Sequence, residues 1–159
     1  MISSMCGTGT RIWIHLRKTL PILADGVPGK EEIYMEFFIA MFVCNLLMPL
    51  IMLIGGYCMY KNPPKEINGL VGYRTTMSKK NKDTWTFAHD YCGRLWIKLG
   101  LIILIPTILV QIPFVHSGDD AIGIVTLIVE AVQLAILLGS IVPVEKALKR
   151  TFDENGVRR

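Results

Sequence analysis

Few side chains in this 159-residue chain could do chemistry, and they fall in two places. The first is a polar stretch over residues 67–96, INGLVGYRTTMSKKNKDTWTFAHDYCGRLW. There Arg74 stands between Tyr73 and Thr75, after Gly69 and Gly72. A planar guanidinium with five donors, carried on a hinge of glycines, suits a carboxylate, a phosphate or the carbonyls of a helix end. A structural clasp and a binding residue are equal readings of it. The second place is apolar sequence that holds Asn45, Gln111, Glu130 and Gln133. An ionised acid inside a bilayer costs a few kcal/mol, so Glu130 needs a proton or a partner. Gln133 lies one turn away on the same helix face. Two roles are open for this set: packing glue, at about 0.6 kcal/mol for a typical hydrogen-bonded pair, or a proton- or ligand-responsive site.

Catalysis finds no support. The chain has no HExxH, no nucleophile elbow and no Gly-rich phosphate loop. His89 and Asp90 are neighbours in sequence and point to different sides of a helix. His89 and Cys92 form a lone His-x-x-Cys, and two ligands do not hold a structural zinc. The reading is therefore not an enzyme, with no metal and no cofactor.

The elements that position these residues follow from the solvent. With 52% hydrophobic residues, 19% charged and a mean hydropathy of +0.44, the composition excludes an ordinary soluble domain. Three apolar runs, at about 36–60, 95–115 and 121–144, are each long enough at ~1.5 Å per residue to cross ~30 Å of hydrocarbon. The fold class expected is an all-α integral membrane protein: three transmembrane helices in a membrane domain over 35–145. An amphipathic cytoplasmic juxtamembrane helix is expected before the second span. Within the motif loop 61–94, Pro63-Pro64 stops the first helix, Asn68-Gly69 marks a turn and Ser78 is the expected N-cap of that helix. Trp85, Ala88, Cys92, Leu95, Trp96 and Leu99 recur at helical spacing, with Gly93 as a possible bend. Trp85 and Trp96 suit the headgroup zone. Gly55-Gly56 and Gly139-Ser140 offer small-residue surfaces for close helix contact, including a homo-oligomer.

Thirteen of the seventeen Lys and Arg residues lie in the connection 61–98 or in the tail 146–159, and the link HSGDD between spans two and three has none. The positive-inside rule places loop and basic tail in the cytoplasm of a cell with the N-terminus outside. The basic loop would attract anionic lipid headgroups, and no feature argues for direct nucleic-acid binding. Residues 1–34 read as a poorly ordered extension or a mis-assigned start, with a short interfacial helix around Ile12, Trp13, Leu16 and Leu20 as an alternative. The four cysteines form no Cys-x-x-Cys pair, so no disulfide framework is expected.

The loop with its flanking spans, roughly 40–145, resembles the SdpI family of small bacterial membrane proteins. Asn68, Gly72, Tyr73, Arg74, Thr75, Trp85 and Gly93 carry the resemblance. Two positions depart from it: Thr76 stands where the family often has Pro, and the acid that often precedes the Trp is displaced to Asp83. The resemblance implies a multi-pass protein of the bacterial plasma membrane that gives immunity to a secreted, membrane-active peptide toxin. It also implies signalling, by holding a soluble cytoplasmic repressor at the membrane. The runner-up is an oligomeric carrier or channel subunit with Glu130 as its intramembrane polar site, motivated by the polar residues and by Pro49, Pro106, Pro113 and Pro143.

Overall fold

The computed structural model describes residues 30–70 and 72–159. The expected interfacial helix near the N-terminus lies outside the described residues. Helix α1 (Lys30–Lys61) is followed by the motif loop, α2 (Lys82–Gln111), a 3-10 turn (Ile112–Phe114), α3 (Asp119–Gly139) and α4 (Ile141–Thr151). Three rods result: α1, α2 with its terminal turn, and α3 continued by α4. Each is long and apolar enough to cross a membrane. Between 11% and 22% of the most apolar window of each is buried within the chain, so their outer faces require an apolar solvent. Ile54, Ile102, Ile105 and Leu127 stand exposed along them. The chain is a multi-pass membrane protein.

The juxtamembrane helix is not a separate element. Its residues are the first turns of α2, a single helix of 30 residues. At ~1.5 Å per residue such a helix is about 45 Å long, more than the ~30 Å of hydrocarbon. The turns bearing Lys82, Asp83, Asp90 and Arg94 therefore project beyond the apolar stretch that begins at Leu95. The N-cap is Asn81 and not Ser78. Asn81 Oδ1 accepts from Thr84 N–H at 2.9 Å, and Thr84 Oγ1 accepts from Asn81 N–H at 3.1 Å, a reciprocal capping box. Ser78 is used elsewhere in the loop.

Gly93 lies within the helix and serves close packing. A Cβ there would stand 2.7 Å from both Gly56 O and Tyr60 N of α1, and one on Gly56 would stand 2.9 Å from Gly93 O. Gly100, two turns on, faces Leu53 and Pro49 O. Small residues let two backbones approach where lipid tails supply no hydrophobic drive for helices to meet. Gly56 is thus spent within the chain, as is Ser140, whose hydroxyl accepts from Trp96 Nε1 at 3.0 Å.

The prolines locate two further features. Pro143 has no N–H to give Gly139 O, and the regular helix breaks there between α3 and α4. Pro49, inside α1, likewise leaves Asn45 O without its i+4 donor. Gln133 Nε2 of α3 supplies one at 3.1 Å, so a neighbouring helix repairs the gap. The apolar core sits at the loop end of the bundle: Met59, Tyr73, Ala88, Cys92, Val144, Leu148 and Phe152.

Gly93→Ala should therefore destabilise the protein by about 1–3 kcal/mol, the usual cost of overpacking. Gly69→Ala, with nothing within 4 Å of the added carbon, should be near neutral. Thermal unfolding in detergent, followed by tryptophan fluorescence, checks the pair. Equal midpoints would mean that α1 and α2 do not meet at Gly93.

Candidate functional site

The loop between α1 and α2 is ordered by its own side chains. Asn68 forms an Asx turn: its Oδ1 accepts from Leu70 N–H at 3.0 Å and its Nδ2 donates to Glu66 O at 3.2 Å. The exposed Arg74 guanidinium donates to Gly69 O and closes the following bend. Thr75 and Ser78 cap each other. Thr75 N–H donates to Ser78 Oγ at 2.8 Å, Ser78 N–H donates to Thr75 Oγ1 at 3.2 Å, and Ser78 Oγ lies 3.1 Å from Tyr73 O.

The loop is then fastened to α2 through a buried histidine. His89 Nδ1 lies 2.7 Å from Trp85 O, and Nε2 accepts from Tyr73 N–H at 3.1 Å. Those two partners fix the neutral tautomer, with the proton on Nδ1. Burial pushes the imidazole below its ordinary value, opposed by the bond to Trp85 O. The approach explains Gly72: its φ is +98°, and a Cβ there would collide with His89 Nε2. Trp85 packs on the His89 ring at 4.2 Å between centroids, and its Nε1 donates to Pro64 O at 2.8 Å. The residue expected at the headgroup zone is thus fully enclosed and ties the exit of α1 to α2.

Tyr73 carries the loop across to the third rod. Its buried hydroxyl lies 3.1 Å from Glu145 Oε1 and 3.3 Å from Ile141 O. Burial first, and the Glu145 carboxylate second, hold the phenol well above its usual value, so it stays a donor. Beyond α4 the last residues fold back as a hook. Phe152 and Arg158 form an antiparallel bridge, and the Asp153 carboxylate accepts from Val157 N–H at 2.8 Å and Asn155 N–H at 2.9 Å. The Val157 bond, followed by other backbone donors, lowers the Asp153 carboxyl below the usual range. Phe152 is buried edge-on against Phe87 of α2. Asn81 Nδ2 donates to Gly156 O at 2.6 Å, and the Lys80 ammonium donates to Glu154 O. Between loop, α4 and hook opens a cleft of about 560 Å³, lined by Thr75, Thr76, Lys80, Glu145 and Lys149 among others.

Away from this platform, four of the intramembrane polar positions divide into a network and an outlier. Asn45 Nδ2 donates to Gln111 Oε1 at 2.8 Å and to Thr126 Oγ1 at 3.3 Å. Gln111 Nε2 donates to Thr107 O at 2.8 Å, and Gln133 Nε2 to Thr107 Oγ1 at 2.8 Å. Asn45, Gln111 and Gln133 are buried between the three spans. Glu130 is half-buried, outside that network.

Sequence reading alone missed several of these residues. His89 reads in the sequence only as part of a lone His-x-x-Cys too small to hold zinc, and its partner is a backbone amide 16 residues away. Ser78, Glu145 and Phe152 were not singled out as partners of the loop. Thr107 and Thr126 were also missed; the four-residue spacing of Asn45 to Pro49, which leaves a bare carbonyl in need of a donor, is the signal that could have led to the network.

The model of the SdpI/YfhL protein family matches residues 65–144, half of the chain, with most of the motif loop, α2 and α3 inside the match. A Bacillus subtilis (strain 168) protein, "Uncharacterized protein YfhL", is 40% identical over 53 residues. That alignment covers 33% of this chain and 48% of the relative, so the chain matches about half the length of the curated protein. No solved structure matches.

The histidine latch makes stability pH-dependent with a definite sign. The folded imidazole is harder to protonate than the unfolded one, so acid favours the unfolded chain. The contribution is present above about pH 6.5 and is lost as pH falls through that value toward the lowered folded one. The thermal midpoint should drop between about pH 7 and pH 5.5, and His89→Gln should flatten that slope while lowering the midpoint at neutral pH. An unchanged slope in the variant would remove His89 from the latch.

Proposed function

The chain belongs to the SdpI/YfhL family, and from that premise we propose that it is an immunity protein against a membrane-active peptide toxin. Its spans meet the toxin in or at the outer face of the bilayer. The loop platform faces the cytoplasm, as the basic bias predicts, and contacts anionic headgroups and a soluble partner such as a repressor. The observation that supports this reading is a division of labour within the motif. Six of its seven residues serve the loop's own architecture. Asn68 and Thr75 make turns, Gly72 admits His89, Tyr73 and Trp85 are buried ties, and Gly93 admits α1. Arg74 alone of the seven is exposed, its guanidinium held at the loop surface by Gly69 O. A rigid frame that presents an exposed guanidinium suits contact with an acidic or phosphorylated partner, because the ordering cost has been met within the fold.

The second reading, an oligomeric carrier or channel subunit, draws on the intramembrane polar residues. Their hydrogen bonds mostly join helices of the same chain, which is how packing glue behaves. Immunity is the preferred function for that reason.

Expression in a strain sensitive to such a toxin tests the proposal. The intact chain should raise survival, and Arg74→Ala should lower the surviving fraction by about tenfold, as loss of a ~1.4 kcal/mol contact would, at unchanged membrane level. Survival no better than with an empty vector would contradict immunity. Full protection by Arg74→Ala would contradict the role of the platform.

A further inference from the structure

Two oxygens in the middle of the bundle have no donor. Asn45 Oδ1 and Gln133 Oε1 are fully enclosed, and no hydrogen-bond partner reaches either among the described residues. The reason is arithmetic within the network. Both N–H groups of Asn45 go to Gln111 and Thr126, and both of Gln133 go to Asn45 O and Thr107. All four side-chain N–H groups of Asn45 and Gln133 are consumed, and the two carbonyl oxygens are left over. Inside a membrane no water layer compensates such groups, and each bare acceptor costs several kcal/mol.

The half-buried Glu130 shares a face of α3 with Gln133. Thr126, Glu130 and Gln133 occupy positions i, i+4 and i+7 of α3, one continuous stripe. Thr126 and Gln133 both bond to Asn45 of α1. Glu130 therefore sits between the two points at which α3 grips Asn45, and it has neither a hydrogen bond nor an ion pair among the described residues. The stripe thus carries a carboxylate one helical turn from Gln133, whose amide oxygen has no donor.

We propose that Asn45 Oδ1, Gln133 Oε1 and the Glu130 carboxylate form an intramembrane site for a small monovalent cation. The donor set decides the class. All three ligands are hard oxygens, which suit alkali ions and not soft metals. One carboxylate neutralises one charge, whereas a divalent ion is held by several carboxylates or by carboxylates with substrate phosphates. Among the described residues no three His, Cys, Asp or Glu side chains gather to hold a metal, in keeping with a site made mostly of amide oxygens. Broken or proline-interrupted helices that bring neutral oxygens to an ion at mid-membrane are a known solution to this problem. Here Pro49 frees Asn45 O, which draws in Gln133 Nε2 and so turns Gln133 Oε1 towards the interior. A bound ion would lock α1 to α3, adding to the bonds that Asn45 already makes with Thr126 and Gln133.

The site does not rest on the immunity reading, and its test uses no toxin. The purified full-length chain in lipid nanodiscs is heated in lithium, sodium, potassium or choline chloride at equal ionic strength, with tryptophan fluorescence as the readout. Equilibrium dialysis against radioactive sodium measures retention directly. The expected result is a saturable rise of the midpoint in at least one alkali chloride, absent in choline chloride. One ion should be retained per chain, and Glu130→Gln should weaken the response at least about tenfold. Equal midpoints in all four salts together with no retained sodium would overturn the proposal, leaving water or the acid's own proton on the two oxygens. An unweakened response in Glu130→Gln would overturn it as well.

Discussion

The hydrogen bond from Tyr73 N–H to His89 Nε2 organises the loop end of this protein. It exists only while the imidazole is neutral and carries its proton on Nδ1, a state set by Trp85 O. It brings the loop backbone so close to the ring that position 72 must be glycine in a left-handed conformation. It aims Tyr73 at Glu145 and Ile141 and thereby joins the loop to the third rod. Trp85 closes the arrangement from the other side by holding Pro64 at the end of α1. One amide–imidazole contact thus links all three membrane rods at a single level.

The two ends of the bundle are held by different physics. At the loop end, outside the hydrocarbon, burial of Tyr73, Trp85, Leu148 and Phe152 stabilises in the ordinary hydrophobic way. Within the spans that drive is absent, because lipid is as apolar as the side chains. There the chain relies on backbone proximity at Gly56, Gly93 and Gly100, and on amide side chains that repair what Pro49 breaks. The large exposed apolar surface of α3 and the sparse burial of its window fit this arrangement.

The spans were legible in the sequence because their composition dictates their solvent. So was the existence of an ordered loop, from its glycines, prolines and asparagine. The parts that could not be read are those with two physically equivalent outcomes. A glycine within a helix marks either a bend or a close approach, and only the partner helix distinguishes them; Gly93 faces Gly56 and Tyr60. A tryptophan stripe faces either headgroups or protein, and Trp85 and Trp96 donate to protein acceptors. Two polar residues three apart compete for one N-cap, and Asn81 takes it because Ser78 is engaged with Tyr73 and Thr75. The role of His89 as acceptor of the Tyr73 amide left no trace, since a backbone amide is the same at every position.

The most direct measurement of the central contact is nitrogen-15 NMR of the His89 imidazole in the detergent-solubilised chain at neutral pH. The account predicts a neutral ring protonated at Nδ1, with an Nε2 resonance shifted as for an acceptor and coupled to the Tyr73 amide proton. An imidazolium, or a ring protonated at Nε2, would contradict it, because neither can accept that hydrogen bond.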